Sequence, residues 1–229
     1  MDRSLIDRLG PERCRVAYFF MVGGEGEYDR TYKIQDPLAR RALAAVKENG
    51  ADIGLHASYA AGQEPRLIAR ERALLEKTAG IPITKNRHHI LGWRETSDGH
   101  EIAAGGIGWD STMGYADVPG FRLGVCRPVP LFDPIAQKPL GIEEHPMTIM
   151  ECTLSKYMNL DEEQAFACVR RLADATIRYR GEFVVNWHNS WLSEREPGYH
   201  RRLYQRMLDY LVSQEGVLSA QAEARRQCS

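Results

Sequence analysis

One pattern recurs along most of the chain: a short apolar run ending in glycine or polar residues, followed by a stretch with helical periodicity. CRVAYFFMVGG (14–24) reads as a buried strand entering a Gly-rich loop, and DPLARRALAAVKENG (36–50) as a helix with Asp before Pro at its start and Asn-Gly at its stop. ADIGLH (51–56) is the next strand, EPRLIARERALLEKTAG (64–80) the next helix, and IPITKNRHHI (81–90) the next strand and its exit. A helix over 97–104 leads to IGWDST (107–112), then come the less regular FRLGVCRP (121–128) and HPMTIMECTL (145–154). LDEEQAFACVRRLADATIRYRG (160–181) is a long helix, FVVNWH (183–188) a strand, and GYHRRLYQRMLDYLVSQ (198–214) the final helix. Strands that alternate with helices predict an α/β fold around a parallel sheet, open or closed into a barrel.

No internal repeat or low-complexity linker divides the 229 residues, so a single domain over 1–229 is expected. The net charge of −1, with both signs interspersed, offers no basic stripe for nucleic acid and no cluster for a membrane surface. A neutral or small partner is expected. No apolar run approaches the ~18 residues of a membrane span, and MDRSLIDRLG is a charged amphipathic segment without the core of a signal peptide. A cytoplasmic location is expected. The five cysteines are scattered without a CxxC pair, which points to reduced thiols rather than to disulfides or a zinc knuckle.

In parallel α/β folds ligands gather where strands end, because those ends feed the loops and face helix N-termini. His56 ends the second strand, Arg87, His88 and His89 follow the third, Asp110 lies on the fourth, and His188 closes the last. His100, in a turn, His145, and His200, opening a surface helix, lack that placement and read as structural. Trp187 and Trp191 flank the final histidine and offer flat apolar faces, although packing at the sheet rim is their ordinary role.

The order GLHASY, NRHHILGW, WDSTMGYADVPGFRLGVCRP and VVNWHN resembles the polysaccharide deacetylase superfamily, the NodB-homology domain, over about residues 15–195. The resemblance implies a distorted (β/α) barrel of about seven strands and a divalent metal, often zinc, held by an Asp and two histidines. His56 matches the first histidine of the family's H-[ST]-x-x-H motif, and the second falls on Ala60. Arg87 matches the arginine of the third motif, whose Pro-Tyr is replaced by His88-His89. His188 matches the histidine of the fifth. His56 and His89 are thereby the expected metal ligands, with His88 as the alternative to His89, because adjacent residues of an extended segment point to opposite sides. His188 is expected to give the proton to a departing amine, Arg87 to orient a carboxylate, and Trp187, Trp191 and Glu151 to meet the substrate. Hydrolysis of an N-acetylated sugar or related amide, in a small-molecule or glycan substrate, is the activity implied, and a catalytically inactive carbohydrate-binding barrel is its alternative. No GxSxG elbow, HExxH helix or P-loop suggests another hydrolase.

The family's first motif, Asp-Asp or Asp-x-Asp at the tip of strand one, has no counterpart: Asp2 and Asp7 have no strand before them. Either a first strand is missing or another carboxylate serves. Asp110 is the better-fixed substitute, with bonding to the following turn as its ordinary role. Glu25, Glu27 and Asp29 sit in a Gly-rich loop where acids are usually solvated, and Glu151, an acid in an apolar strand, must pair with a base or have a raised pKa. Without strand one, CRVAYFFMV and FVVNWH lack a mutual partner. An open or gapped barrel is then expected, covered by MDRSLIDRLG or by a second subunit in a homo-oligomer, with weak metal binding and little deacetylation.

Overall fold

The computed structural model describes residues 4–24, 26–29, 32–94, 97–195 and 197–214. In chain order it begins with α1 (Ser4–Leu9), β1 (Ala17–Phe20), α2 (Pro37–Glu48), β2 (Asp52–Leu55), α3 (Tyr59–Gln63), α4 (Leu67–Ala79) and β3 (Lys85–Asn86). It continues with α5 (Ser97–Ala104), β4 (Trp109–Asp110), β5 (Val129–Asp133), β6 (Lys138–Glu144), β7 (Ile149–Met150), α6 (Glu162–Arg178), β8 (Val185–Asn186) and α7 (Tyr199–Ser213). The chain forms two compact units, one from Arg15–Met113 with Pro128–His145, the other from Ser4–Cys14, Gly114–Arg127 and the described part of Pro146–Ser229.

The first unit holds a six-stranded sheet in the order β1-β2-β3-β4-β6-β5, parallel throughout except for the antiparallel β5–β6 pair. Its core packs Ile53 and Leu55 of β2 against Leu43 and Val46 of α2, Ile68 and Leu75 of α4, and Ile102 of α5. Each such side chain, taken fully out of water, contributes about 1.5–3 kcal/mol. Pro37 opens α2 as anticipated, and α4 ends at Gly80, whose φ of 68° is a left-handed conformation that other residues resist. The β5–β6 hairpin had no signal in the sequence: Pro130 and Pro139 break its alternation, and its turn depends on Asp133, which accepts from the N–H groups of Ile135 (2.8 Å) and Ala136 (3.0 Å).

The second unit has the parallel pair β7–β8, in register Ile149↔Val185 and Met150↔Asn186. Helix α6 starts in a capping box in which Gln164 N–H donates to Asp161 Oδ1 (2.8 Å) and Asp161 N–H to Gln164 Oε1 (3.1 Å). Its apolar stripe, Ala165, Val169 and Leu172, shares a core with Leu203, Met207 and Leu208 of α7 and with Ile149. His200 is buried, not on the surface as expected: it is 6% exposed, its ring tilted against that of Trp191 and edge-on to that of Tyr199. Among the described residues no helix is long and apolar enough to cross a membrane.

Candidate active site

Register places the tips of the first sheet. Phe20 pairs Leu55, Leu55 pairs Asn86, Asn86 pairs Asp110, and Asp110 pairs Glu144. One residue farther on, the N–H groups of His56, Arg87, Ser111 and His145 each donate to a carbonyl of that row, so these four stand side by side at the strand exits. His145 therefore does have a strand-end position; it went unnoticed because β6 did. Its ring stacks on Trp109 at 4.6 Å between centroids.

His56 and His89, 33 residues apart in sequence, are brought together with ring centroids 5.1 Å apart. His56 Nδ1–H donates to Arg87 O (2.7 Å), which fixes the tautomer and leaves the lone pair on Nε2. Directly after His89 the backbone turns left-handed at Ile90 (φ 59°) and Leu91 (φ 51°). Such angles are unfavourable for a β-branched residue, and they hold the short turn that carries the His89 ring. Asp29 Oδ1 accepts from Tyr59 N–H (2.7 Å), Glu27 is exposed, and Glu25 and Asp2 lie outside the described residues.

The row beneath the tips is polar and fully buried. Asn86 Nδ2 donates to Asp110 Oδ2 (2.6 Å) and contacts His88 Nδ1 (2.9 Å), while Asp110 Oδ1 accepts from Thr112 N–H (2.9 Å). Burial, then the charge of Asp110, pushes the Glu144 carboxyl up to about 10; protonated, it donates to Asp110 and accepts from Met113 N–H (2.8 Å). His88 belongs to this ladder, and burial lowers its pKa. Arg87 has partners here: its Nε donates to Ser111 O (3.0 Å), an Nη to Ser111 Oγ (2.8 Å), and its guanidinium lies 4.9 Å from the centre of the Phe19 ring. Burial lowers its pKa to about 10 against the opposing pull of Asp110 and Glu144.

In the second unit β7 and β8 exit side by side, and three reactive groups follow. Glu151, fully buried, accepts through Oε1 from the ring Nδ1–H of His188, from His188 N–H (3.2 Å) and from the Cys152 thiol (3.3 Å). Cys152 Sγ and the Glu151 carboxylate together push the His188 imidazole up to about 10, so that it is a cation at neutral pH. The carboxylate contact is much the shorter of the two. Trp187 packs on Tyr204 (5.1 Å) and Trp191 on His200 (4.4 Å), the rim-packing role, and the Lys156 ammonium lies 4.8 Å from the centre of the Trp191 ring.

No family model matches the chain, and no curated protein does. Among solved structures it is similar to a candidate polysaccharide deacetylase from Mycobacterium smegmatis, with a TM-score of 0.60 and 14% identity over 97% of this chain and 76% of that one. The chain has a deacetylase-like fold. A second candidate polysaccharide deacetylase, from Bordetella bronchiseptica and associated with O-antigen biosynthesis, aligns with a TM-score of 0.45 and 13% identity over 92% of this chain and 82% of that one.

The resemblance read in the sequence implies a metal, and two observations bear on its fit. The His56 tautomer suits a ligand, since the Nδ1–H bond to the Arg87 carbonyl puts the ring's lone pair on Nε2. Among the described residues, however, no set of three His, Cys, Asp or Glu ligand atoms includes His56 and His89. The three-ligand set found among the described residues is Glu151, Cys152 and His188, whose ligand atoms lie within 4.8 Å of one another. Asn86 and Glu144 are not among the candidates the sequence offers, and Cys152 stands there only as one of the scattered thiols. Asn86 and Glu144 stand in register with Asp110, which becomes visible only once the strands are paired, whereas Cys152 was legible as a thiol adjoining an acid in an apolar run.

Proposed function

We propose that the protein is a metal-dependent hydrolase of the polysaccharide deacetylase type, removing an acetyl group from an N-acetylated sugar or a related amide. The observation that carries this reading is the His56–His89 pair, with the His56 tautomer set by the Arg87 carbonyl. In this reading the two imidazoles hold a divalent cation, for which zinc suits the nitrogen donors. A cation held there would supply Lewis acidity toward the acyl oxygen and a bound water of lowered pKa. His188 is assigned to give a proton from Nε2–H to the departing amine, and Glu151 keeps the ring protonated by accepting from Nδ1–H. Arg87 fixes the exit of β3 through Ser111, acting as a positioning residue. The half-exposed faces of Trp187 and Trp191 are assigned to the sugar. Residues 1–229 are taken as one functional domain, because neither compact unit is a continuous segment.

A second reading, a barrel that binds carbohydrate without hydrolysing it, is favoured by the absence of a third ligand atom beside His56 and His89 among the described residues. Acetate release from N-acetylated chitin oligosaccharides by the zinc-loaded protein separates the two. His56→Ala should abolish release, and His188→Ala should lower turnover by about 10²–10⁴-fold while oligosaccharide binding persists. Binding with no release in the unmutated protein would establish the second reading instead.

A further inference from the structure

The geometry points to a soft divalent-cation site at the exits of β7 and β8, built from Glu151, Cys152 and the Nδ1 of His188 and suited to Zn(II) or Cd(II). It involves none of the atoms assigned above to the His56–His89 pair.

Parallel pairing brings the three groups together. With Met150 opposite Asn186, the next residues of the two strands leave at the same end, and a π-helical turn over Thr153–Tyr157 begins at once, closing with Met158 N–H on Thr153 O (2.9 Å). Irregular turns of this kind recur at functional sites. Cys152 Sγ lies 3.3 Å from Glu151 Oε1 and 3.9 Å from His188 Nδ1. Bond lengths of about 2.3 Å to sulfur and about 2.0–2.1 Å to nitrogen or oxygen place tetrahedral ligand atoms about 3.5 Å apart, which these two distances bracket. Nδ1 and Oε1, now joined by a hydrogen bond, have to part to about 3.3 Å for a cation to enter.

An independent observation marks the carboxylate as a ligand. Glu151 is fully buried, yet its Oε2 has no hydrogen-bond partner among the described residues. A buried carboxylate oxygen left unbonded is costly, and a cation would satisfy it. Cys152 is half-buried and the His188 side chain 44% exposed, so the site is reached from solvent.

The donor set selects the cation. Thiolate, imidazole and carboxylate with a fourth position for water describe a zinc-type centre, whereas magnesium and calcium take oxygen ligands. Binding replaces the proton on Cys152 Sγ and that on His188 Nδ1 by one cation, and both protons leave to solvent. One consequence rests on the function proposed above: with Nδ1 ligated, the ring keeps only its Nε2–H, which could leave only by forming an imidazolate, so His188 no longer serves as an acid for the amine and Zn(II) or Cd(II) at this site inhibits deacetylation.

The test is a Cd(II) titration of the full chain, already loaded with one equivalent of zinc, read by ultraviolet cadmium–thiolate absorption. The unmutated protein should develop this band with Cys152 as the thiolate, Cys152→Ser should lack it, and His188→Ala should bind at least about tenfold more weakly. Alkylation of the unmutated protein, mapped by mass spectrometry, keeps the test independent of how the variants fold: Cd(II) should protect Cys152. Identical titrations of the unmutated and Cys152→Ser proteins, an unchanged affinity in His188→Ala, or undiminished alkylation of Cys152 would each overturn the site. Protection of Cys152 with undiminished acetate release would uphold the site and remove His188 from its role as proton donor.

Discussion

Two fully buried glutamates, one in each compact unit, show how a neighbour decides what a buried carboxyl becomes. Glu144 stands in register with Asp110, and two carboxyls side by side in a dry row cannot both ionise, so Glu144 is pushed up to about 10 and the pair shares a proton. Glu151 meets the ring of His188 instead, and the shift falls on the imidazole, pushed up to about 10 with Cys152 as the other contributor. The first arrangement ties strands together and is sealed from water. The second holds a proton on a ring whose side chain is 44% exposed. Burial alone therefore does not mark a reactive acid; burial next to a base that reaches solvent does.

The sharpest way to break this contrast is Glu151→Gln in chelator-treated protein. With the carboxylate gone, the pKa of His188 should fall from about 10 toward the ordinary 6.5, followed by NMR titration of the ring. If His188 acts as the proton donor, the alkaline limb of the rate profile moves down with it. A ring that still titrates near 10 would mean that Cys152, and not the carboxylate, governs the site.

Asp110→Ala attacks the other member of the comparison. The substitution strips an acceptor from the Asn86 amide, from Thr112 N–H and from the protonated Glu144. Each buried donor left unsatisfied costs about 1–3 kcal/mol, so a loss of about 3 kcal/mol or more in urea unfolding is expected. Full stability with abolished turnover would instead give Asp110 the catalytic role expected of it from the sequence.

How much of this was legible depends on which interaction fixes each element. The helices at 36–50, 64–80, 97–104, 160–181 and 198–214 are set by local periodicity and caps, and they formed within a few residues of their expected bounds. So did the strands that lead to His56 and His188, whereas the one expected over 81–90 is shortened to Lys85–Asn86, with His89 in the turn beyond it. The β5–β6 hairpin and the Asn86–Asp110–Glu144 row were not legible, because both depend on pairing between segments distant in sequence, and the hairpin's prolines hide it further. Glu151 was read as an acid needing a base, but its partner lies 37 residues away and emerges only from the β7–β8 register.

Glu144→Gln gives a smaller and pH-dependent effect. The folded-state pKa of about 10 lies above the ordinary 4.5, so between these values the folded chain holds one proton more than the unfolded one. The contribution to stability is complete below about pH 4.5 and is lost as the pH rises toward 10, at up to about 1.4 kcal/mol for each pH unit. Glutamine keeps a hydrogen-bond donor toward Asp110 and does not titrate. Between pH 7 and 8 the unmutated protein should lose up to about 1.4 kcal/mol from this group and the variant almost none, read as the change in Tm across a pH series. Parallel pH curves would show that the carboxyl pair shares no proton.

The smallest effect belongs to the turn after His89. Ile90 is 50% exposed and has φ 59°, so its side chain gains little from burial while its backbone occupies a conformation costing about 1–2 kcal/mol for a residue with a Cβ. Glycine adopts that angle freely but loses about 0.5–1 kcal/mol more in chain entropy on folding. The two terms partly offset, and Ile90→Gly should stabilise the fold by about 0.7 kcal/mol, with about 1.5 kcal/mol as the upper end. The same substitution loosens the segment that holds the His89 ring 5.1 Å from that of His56. Cobalt bound by this pair should therefore bind several-fold more weakly even as thermal stability rises slightly, because two imidazoles kept in place by a stiff turn lose less entropy on ligation than two that must be gathered. Stability and cobalt affinity falling together would show that Ile90 acts through packing; opposite changes would show that the left-handed turn is held under strain to position His89.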